Sequence, residues 1–490
     1  MAEKILKRSE VPEEYTWNLK DMFESDEAWL AEFEALKAYP EIIAKYQGTL
    51  GESAANLLAY FKLEDELKIR LGTLHTYASC SGDQDMSNAK YQDFRGKAMA
   101  TIVAIESASA FATPEIMAIP EDTLNAFYAE CPELETYRRN IYKIRRRAAH
   151  ILSKEEEALL ASAEEMADSA DKIGGILRNA DLKFPNVVDS EGNEHALTNG
   201  SFVPLEESSD RVLRKNAFEA FYGRYGDFKN TIAMTLDGEF KKRNFFAKAR
   251  KYNSTREAAL DHTEVPEEVY DNLIEAVHQN LDKMYKYVAL RKKMLGVDEL
   301  HMYDVYTPIV ADAASEIGID EAKKTVLEAL EVLGKDYTDL LREGFENRWI
   351  DVYENKGKTS GAYSWGAYGV HPYMLLNYQD RLDDVFTLVH EAGHSMHTYY
   401  SDKNLPYEKA QYKIFVAEVA STVNEVLLLK HLYKQTQDKN LKKYLVKPHY
   451  QKLSGLLVSM VKAQLIVLTK IYHQNTISHL FVMEHLEKIM

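Results

Sequence analysis

Residues 387–397 restrict the fold of this 490-residue chain more than any other segment. They contain the pattern H-E-x-x-H, formed by His390, Glu391 and His394. Helical residues four apart lie on one face with their β-carbons about 5–6 Å apart, so both imidazoles can reach one metal ion. Glu391 stands beside them, where a carboxylate can hold and deprotonate a water molecule on that ion. The segment therefore predicts a helix that carries a metal site.

The residues before this pattern have the spacing of an amphipathic helix. Apolar side chains recur at helical intervals, and Asp383 or Asp384 can cap the helix start; the apolar positions are Leu382, Val385, Phe386 and Val389. The alternative interpretation is a solvent-exposed helix whose two histidines bind no metal.

Chain length and composition indicate a mainly helical protein of several parts. A chain of 490 residues exceeds the size at which a single hydrophobic core stops growing, so two or three packed subdomains are expected. Glycine and proline number only 22 and 12, which favours helices. A hydrophobic content of 46% with 28% charged residues is typical of a soluble globular protein.

Charge and cysteine content exclude some partners and locations. A net charge of −17 argues against a nucleic-acid partner, which needs clustered Lys and Arg. The basic run at residues 138–147 is more typical of a solvated helix face than of an RNA groove. Cys80 and Cys131 form no disulfide framework, and the first eight residues contain no apolar signal-peptide core. We therefore expect a cytoplasmic protein with no membrane partner.

Helical patterns cover much of the chain, with a few strand-like segments between them. The sequence predicts helices over residues 26–36, 53–71, 210–251, 266–295, 319–345 and 412–433, and capping boxes at Ser153 and Ser254. Residues 182–197 predict a small hairpin, and residues 350–353 predict a strand. The glycine- and aromatic-rich run at 361–369 fits either a sheet edge that pairs with an extended peptide or an ordinary hairpin packed on the metal helix.

Two histidines leave a catalytic zinc one protein ligand short, because the usual site has three plus water. Glu418 and Glu425 are seven residues apart and so lie on one face of the predicted helix 412–433. The helix is otherwise rich in apolar residues and is expected to be largely buried. Buried carboxylates are costly unless paired or metal-bound. One of the two is therefore expected to bind the metal and the other to hold a histidine.

Several longer segments carry the motifs of one family. They are W-I-D-V-Y-E-N-K-G-K (349–358), S-G-A-Y-S (360–364), H-P-Y (371–373), L-L-N-Y (375–378), D-D-V-F-T-L (383–388), H-E-A-G-H-S-M-H (390–397) and F-V-A-E-V-A-S-T (415–422). In these segments the chain resembles oligoendopeptidase F, of the thimet-oligopeptidase-like family of zinc metallopeptidases. The likeness runs from the N-terminus to about Tyr444.

The resemblance implies one zinc ion per chain, held by His390, His394 and Glu418, with Glu391 as the catalytic base. It implies an endopeptidase that hydrolyses internal bonds of short oligopeptides through a zinc-activated water. Glu425 and His397 would support the ligands as second-shell groups. For His397 a structural role fits the sequence equally well.

The resemblance also implies a fold. It is mainly α, a two-lobed helical zincin-type metallopeptidase with a small β-sheet next to the H-E-x-x-H helix and a deep substrate channel. The strand against which substrate lies would contain Gly361, Ala362, Tyr363, Gly366 and Tyr368, with His371 nearby. His371 fits a structural role equally well.

Four regions are predicted from the pattern and the resemblance. They are an N-terminal helical region (1–110), an oligoendopeptidase F N-terminal-type subdomain (111–200), an incomplete zinc metallopeptidase catalytic domain (201–445) and a divergent tail (446–490). The tail contains five lysines against two glutamates and four of the 15 histidines. The family has a His- and Tyr-rich segment at this place that supplies oxyanion donors. A change of reading frame would produce the different composition of residues 446–490.

Two functional expectations follow. The first is an active zinc endopeptidase. The second is a truncated homologue that binds zinc, and peptide as well, but has little or no peptidase activity, because loss of even one oxyanion donor typically costs about 10²–10³ in rate. Substrate preference and oligomeric state are not predicted.

Overall fold

The computed structural model describes residues 6–199, 201–307, 317–439, 441–442 and 445. The described chain is mostly helical, with five short strands. It divides into two compact units: the described residues up to 148 and 317–437 form the first, and 149–199, 201–307 and the few described residues after 437 form the second. The mainly helical fold class with small sheets is confirmed, and the two-lobed shape stays a prediction. The deep substrate channel and the four sequence boundaries stay predictions, and the tail at 446–490 lies outside the described residues.

Seven helices open the first unit: α1 (Asp26–Leu36), α2 (Tyr39–Ala44), α3 (Ala54–Asp83), α4 (Ala89–Ser109), α5 (Ala112–Ala118), α6 (Glu121–Glu130) and α7 (Arg138–Arg146). The prediction for 26–36 is confirmed, and that for 53–71 is confirmed with an extension to Asp83. Hydroxyl caps fix both starts, because Ser25 Oγ accepts from the Ala28 amide and Ser53 Oγ from the Asn56 amide.

The core of these helices is built around Trp29, which is fully buried. Its ring stacks on Phe94 at 4.0 Å between centroids, and its Nε1 donates to the Leu74 carbonyl at 2.9 Å. The buried indole thus satisfies its polar atom while it joins α1, α3 and α4.

The second unit contains α8 (Lys154–Ala167), α9 (Ser169–Ile176), α10 (Phe202–Glu206), α11 (Arg211–Asp227), α12 (Lys229–Ala249), α13 (Thr255–Asp261), α14 (Glu267–His278) and α15 (Leu281–Leu295). Strands β1 (Val187–Val188) and β2 (Glu194–His195) pair antiparallel, which confirms the hairpin. The capping box at Ser153 is confirmed by both of its bonds to Glu156, and Ser254 Oγ accepts from the Glu257 amide.

The predicted long helices of this unit are wrong in their length. The segment 210–251 is two helices that meet at Phe228, and 266–295 is two helices that meet at Asn280. Phe228 has φ −108° and ψ 13°, outside the helical region, and it follows Gly226 and Asp227, which are poor helix formers.

The chain then returns to the first unit with α16 (Ile319–Leu330), α17 (Lys335–Glu346), β3 (Ile350–Tyr353), β4 (Tyr363–Trp365), β5 (Tyr373–Tyr378), α18 (Leu382–Asn404), α19 (Tyr407–Ala410) and α20 (Ile414–Gln435). The strand at 350–353 is confirmed. The single helix predicted for 319–345 is wrong, because Gly334 has φ +99° and interrupts it.

Strands β3, β4 and β5 form a small mixed sheet in the order β3-β5-β4. β5 lies in the centre, parallel to β3 and antiparallel to β4, with Tyr363 opposite Leu375. Both β4 and β5 contact α18. The predicted small sheet beside the H-E-x-x-H helix is therefore confirmed, and β4 is an edge strand of the described sheet.

Short turns of 3₁₀ helix lie at Arg8–Glu10, Glu13–Tyr15, Leu19–Asp21, Pro132–Tyr137, Ala148–His150, Met302–Asp304 and Glu331–Leu333, and a π turn lies at Leu177–Asp181.

Within the described ranges, no single helix is long and apolar enough to cross a membrane, although the bent pair Ala89–Ala118 and Glu121–Glu130 meets that length and composition test together.

Candidate metal centre

Helix α18 carries the H-E-x-x-H pattern and is fixed at its start by one of the two predicted caps. Asp384 Oδ2 accepts from the backbone amides of Gln379 at 2.9 Å and Arg381 at 3.0 Å. Its apolar face is buried at Leu382, Val385, Leu388 and Val389. The predicted amphipathic helix is confirmed, and its cap is Asp384.

A glycine within the pattern allows α20 to approach α18 closely. A β-carbon at Gly393 would lie 2.6 Å from Ser421 Cα and 2.9 Å from the Ala420 carbonyl oxygen. These distances are far below van der Waals contact, and the obstructing atoms are backbone that cannot rotate away. Gly393 therefore sets the separation that brings Glu418 on α20 to the histidines of α18.

Three ligand atoms converge between these helices. His390 Nε2 lies 3.2 Å from His394 Nε2 and 3.4 Å from Glu418 Oε2, and His394 Nε2 lies 3.5 Å from Glu418 Oε2. Ligands of a tetrahedral ion with bonds of about 2.1 Å are about 3.4 Å apart. The His390, His394 and Glu418 side chains therefore form a cluster that fits a metal ion such as zinc.

The ligand side chains are held by neighbours on α20. His390 Nδ1 lies 2.6 Å from Glu425 Oε1, and Glu425 is 6% exposed. The hydrogen bond with Glu425 raises the pKa of His390. Ser421 Oγ donates to Glu418 Oε2 at 2.8 Å, which orients that carboxylate. The structure thus places Glu418 in the cluster with the two histidines and Glu425 behind His390, while their roles as ligand and support stay predictions.

His394 has a different environment from His390. Burial lowers the pKa of His394, and the nearby Glu418 carboxylate opposes this effect. A histidine must be neutral at the nitrogen that binds a metal. Burial therefore favours the form of His394 that can act as a ligand.

Glu391 lies beside the cluster in a dry position. It is 6% exposed, and burial raises its pKa to about 7, although the neighbouring His390 opposes this shift. The nearby backbone of Ser364 on β4 opposes the rise in pKa as well. Ser364 Oγ in turn lies 2.8 Å from Ser395 Oγ on α18, so the edge strand is tied directly to the metal helix. A carboxyl group with this pKa can both accept and release a proton near neutral pH.

The predicted substrate-binding strand lies next to this site. β4 covers Tyr363–Trp365, and Gly361 before it has φ +87°, a conformation that favours glycine. The Tyr363 hydroxyl donates to Asp83 Oδ2 at 2.7 Å. A contact of peptide with this strand stays a prediction.

The remaining residues of that prediction are packed at the sheet's end. A β-carbon at Gly366 would lie 3.3 Å from Thr398 Cγ2 on α18. The Tyr368 hydroxyl donates to the Leu405 carbonyl at 2.8 Å. These contacts position the chain between β4 and β5 against α18, and a role in substrate binding stays a prediction for both residues.

The two histidines with alternative roles both lie outside the ligand cluster. His371 Nε2 is 3.0 Å from Asp21 Oδ2, and its ring stacks on Trp349 at 4.6 Å. His397 stacks on Tyr412 at 3.8 Å, and among the described residues its buried Nδ1 has no hydrogen-bond partner. These contacts fit structural roles, while roles in substrate binding or ligand support stay predictions.

The predicted burial of the helix at 412–433 is wrong. The helix begins at Ile414, and several of its apolar residues are exposed: Ile414 by 72%, Phe415 by 64% and Val419 by 58%. The Glu418 side chain is 58% exposed as well, so only Glu425 is a buried carboxylate. The prediction that both carboxylates are buried is therefore confirmed for Glu425 and wrong for Glu418.

Sequence reasoning missed three serines at the site. Ser421 orients Glu418, and Ser364 and Ser395 join the edge strand to the metal helix. The only sequence signal is that all three lie inside the segments that carry the family resemblance. A serine hydroxyl has no spacing rule that would identify its partner in advance.

The chain matches two family models. The model described as Peptidase family M3 matches residues 204–476, and the one described as Oligopeptidase F matches residues 115–184. The first match continues beyond the sequence boundary predicted at residue 445.

Curated relatives and solved structures agree with these matches. Oligopeptidase PepF of Bacillus subtilis is 47% identical over 91% of this chain and 66% of its own length, and Group B oligopeptidase PepB of Streptococcus agalactiae is 42% identical over 88% and 72%. The crystal structure of a Chlamydophila abortus protein assigned as a peptidase superposes with a TM-score of 0.84 at 31% identity, covering 94% of this chain and 79% of that one. The oligoendopeptidase-F structure from Enterococcus faecium superposes with a TM-score of 0.59 at 33% identity, covering 88% and 71%.

The chain thus spans about two thirds of the length of the B. subtilis relative and slightly more of the S. agalactiae relative. The M3 model covers more than half of the chain, and the matched region contains every residue of the metal centre. On this evidence the chain belongs to peptidase family M3.

Proposed function

We propose that this chain is a zinc-dependent endopeptidase that hydrolyses internal bonds of short oligopeptides. The observation that supports this most is the convergence of three ligand atoms, 3.2–3.5 Å apart, next to a buried carboxylate. The names of the relatives, oligopeptidase and oligoendopeptidase, favour the same class of reaction. Because the chain spans about two thirds of the B. subtilis relative, activity is proposed for this chain and tested directly.

His390, His394 and Glu418 would hold the ion. A bound zinc supplies a Lewis acid that acidifies a water molecule and polarises the scissile carbonyl. Glu425 accepts a hydrogen bond from His390 Nδ1 at 2.6 Å and so leaves Nε2 free to face the ion. Ser421 keeps Glu418 Oε2 directed into the cluster.

Glu391 is the proposed general base. Its carboxylate takes the proton from the attacking water and then gives it to the leaving amine. A pKa of about 7, raised by burial, suits both transfers near neutral pH. The Ser364 backbone lies near this carboxylate and limits the rise in its pKa.

The edge strand β4 offers a way to align the substrate. Its outer edge can pair with an extended peptide through main-chain hydrogen bonds, which bind peptides of varied sequence. The same strand carries Ser364, whose backbone lies near Glu391. A peptide paired with β4 is therefore brought alongside the proposed base, and only an extended chain can bind in this way.

The test is cleavage of a quenched fluorescent peptide of about nine residues, a length that spans an edge strand at about 3.3 Å per residue. We expect turnover with zinc, its loss with a chelator, and a decrease of about 10³-fold in Glu391→Gln, the scale of general acid–base catalysis. Asp402→Asn is the matched control, because Asp402 lies on the same helix outside the cluster. It should keep most of the turnover.

The metal content of each sample separates the two functional expectations. One zinc per chain without turnover would support the second expectation, a truncated homologue that binds zinc but has little or no peptidase activity. Turnover that resists the chelator, or a chain that retains no zinc, would contradict the proposal.

A further inference from the structure

A cavity of about 340 Å³ lies in the first unit beside the metal centre. Its walls come from the start of the edge strand, the end of β5 and the first turns of α18, and include Ala362, Asn377, Tyr378, Asp384 and Thr387. The proposed mechanism uses none of these five side chains. The cavity therefore needs its own explanation.

The cavity is a few residues away from the reactive centre. Thr387 and Asp384 precede His390 by three and six residues, or about 4.5 and 9 Å along a helix that rises 1.5 Å per residue. An extended peptide advances about 3.3 Å per residue. It therefore needs one or two residues to reach the level of Thr387 and about three to reach the level of Asp384. A substrate lying along α18 with its scissile bond at Glu391 would bring a side chain to the cavity at that position.

The edge strand gives the same placement independently. Ala362 is two residues before Ser364, and side chains two apart on an extended strand point to the same face. Ala362 directly precedes β4 and lines the cavity together with Asp384 and Thr387 of α18, and the Ser364 hydroxyl contacts Ser395 on the same helix. A peptide paired with β4 would thus pass from Ser364, beside Glu391, to the mouth of the cavity at Ala362.

The chemistry of the lining selects the ligand. Each neutral hydrogen-bond donor of the side chains is already engaged: the Asn377 amide donates to two backbone carbonyls (2.9 and 2.8 Å), the Thr387 hydroxyl to one (3.1 Å) and the Tyr378 hydroxyl to another (2.8 Å). Asp384 uses Oδ2 for its two backbone amides, and a carboxylate has about four acceptor positions. The cavity therefore offers acceptors and a negative charge.

We propose that this cavity is a specificity subsite for a lysine or arginine side chain of the peptide, two or three residues from the bond that is cleaved. A cationic side chain is all donor, and it complements a lining of acceptors with one carboxylate. The register of this subsite rests on the proposed peptidase function. Its affinity for a cationic side chain does not, and can be measured without turnover.

The test measures binding of labelled nonapeptides that carry one lysine, moved along the peptide, against matched peptides with glutamine in its place. Zinc-loaded Glu391→Gln protein is used, so that the peptides stay intact. At the favoured position we expect lysine to bind about fivefold more tightly than glutamine, the upper range for a partly exposed ion pair. Added salt should reduce this ratio, because it screens such a pair.

Two variants on the same background assign the effect to the cavity. Asp384→Asn keeps an oxygen that can cap the helix but removes the charge, so it should bring the ratio to about one. Asp383→Asn removes a charge from the same helical turn outside the cavity lining, and should leave the ratio unchanged. Ala362→Leu keeps the cap and fills the cavity mouth, and should weaken binding of the lysine peptide specifically.

The outcomes for the subsite and for the peptidase are separate. A ratio of one at every position, or a ratio that Asp384→Asn and Ala362→Leu leave unchanged, would overturn the subsite. Cleavage by the wild-type chain is measured in parallel with the same peptides. If the wild-type chain cleaved none of the peptides but still preferred lysine in a way that depends on Asp384, the peptidase would be contradicted and the subsite supported.

Discussion

Buried acid side chains cluster in both units, but their partners differ. In the second unit, the fully buried Asp304 accepts hydrogen bonds from Arg211 and Arg214, at 2.9–3.1 Å. At the candidate metal centre of the first unit, Glu425 contacts His390, and the buried Glu391 lies near that histidine and the Ser364 backbone. Permanent cations neutralise the first cluster, whereas titratable rings and backbone surround the second.

The pKa values follow this difference. Burial alone would raise the pKa of Asp304, but the hydrogen bonds from Arg211 and Arg214 lower it to about 2. Burial raises the pKa of Glu391 to about 7, and His390 opposes the shift only in part. An acid that is neutralised by arginine has a fixed charge and a structural role. An acid that is left without a permanent cation can exchange protons, and its neighbours can bind a metal.

The largest effect should come from breaking the arginine-paired cluster. Asp304→Asn removes the charge that compensates buried Arg214, and removal of one partner from a buried ion pair costs about 3–5 kcal/mol. We expect urea unfolding to show a decrease of this size in the free energy of unfolding of the second unit. The affinity for zinc should not change, because the proposed ligands His390, His394 and Glu418 all lie in the first unit.

A surface pair of the same chemistry provides the control. Asp227 contacts Arg224 at 2.9 Å, and its side chain is 60% exposed. Asp227→Asn should change the free energy of unfolding by less than about 1 kcal/mol. If both variants lost the same free energy of unfolding, the buried Asp304 cluster would stabilise the fold no more than a surface ion pair does.

The second prediction changes the partner of a ligand in the metal centre. Glu425→Gln keeps an oxygen for His390 Nδ1 but removes the charge that orients the ring and increases its basicity. Loss of such a supporting group typically lowers metal affinity about 10–100-fold. Competition with a chromophoric chelator would measure the dissociation constant for zinc.

Another histidine–carboxylate pair, between α20 and α16, serves as its control. Glu328 Oε2 lies 3.7 Å from His431 Nε2, away from the ligand cluster. Glu328→Gln should leave zinc affinity unchanged. If the Glu425 and Glu328 variants bound zinc equally, Glu425 would be a neighbour of the site without influence on it.

The grouping of the candidate ligand side chains was predictable because it depends on short-range spacing. The histidines are four positions apart and the carboxylates seven, which places these side chains on defined helix faces, whatever the rest of the fold. The burial of α20 was not predictable in the same way. An apolar helix pattern identifies residues suited to a core, but coverage depends on distant parts of the chain, and Phe415 is 64% exposed.

Helix interruptions show the same limit. Periodicity continues through Gly334, and the sequence therefore indicated one helix over 319–345. The observed break depends on a backbone conformation, φ +99°, that glycine permits but does not require. The close approach at Gly393 likewise becomes visible only when the position of Ser421 is known.

The last prediction concerns Glu206, a buried acid in the second unit that the arginines do not pair. It is fully buried, and within the described part of the chain neither of its carboxyl oxygens has a hydrogen-bond partner. Arg214 is nearby but already donates to Asp304 and to three backbone carbonyls. Burial raises the pKa of Glu206 to about 8, although Arg214 opposes the shift and Asp304 adds to it.

This shift makes stability depend on pH. The folded chain keeps a proton on Glu206 that the unfolded chain releases above its ordinary pKa of 4.5, so the contribution is present at low pH and is lost as the pH rises towards 8. The free energy of unfolding should fall by at most about 1.4 kcal/mol per pH unit in this window. Urea unfolding at several pH values should show this slope in the wild type and in Glu207→Gln, an exposed neighbour, but not in Glu206→Gln. An unchanged slope in Glu206→Gln would mean that this carboxyl obtains compensation in the folded state, and the contrast between paired and unpaired buried acids would then be confined to the metal centre.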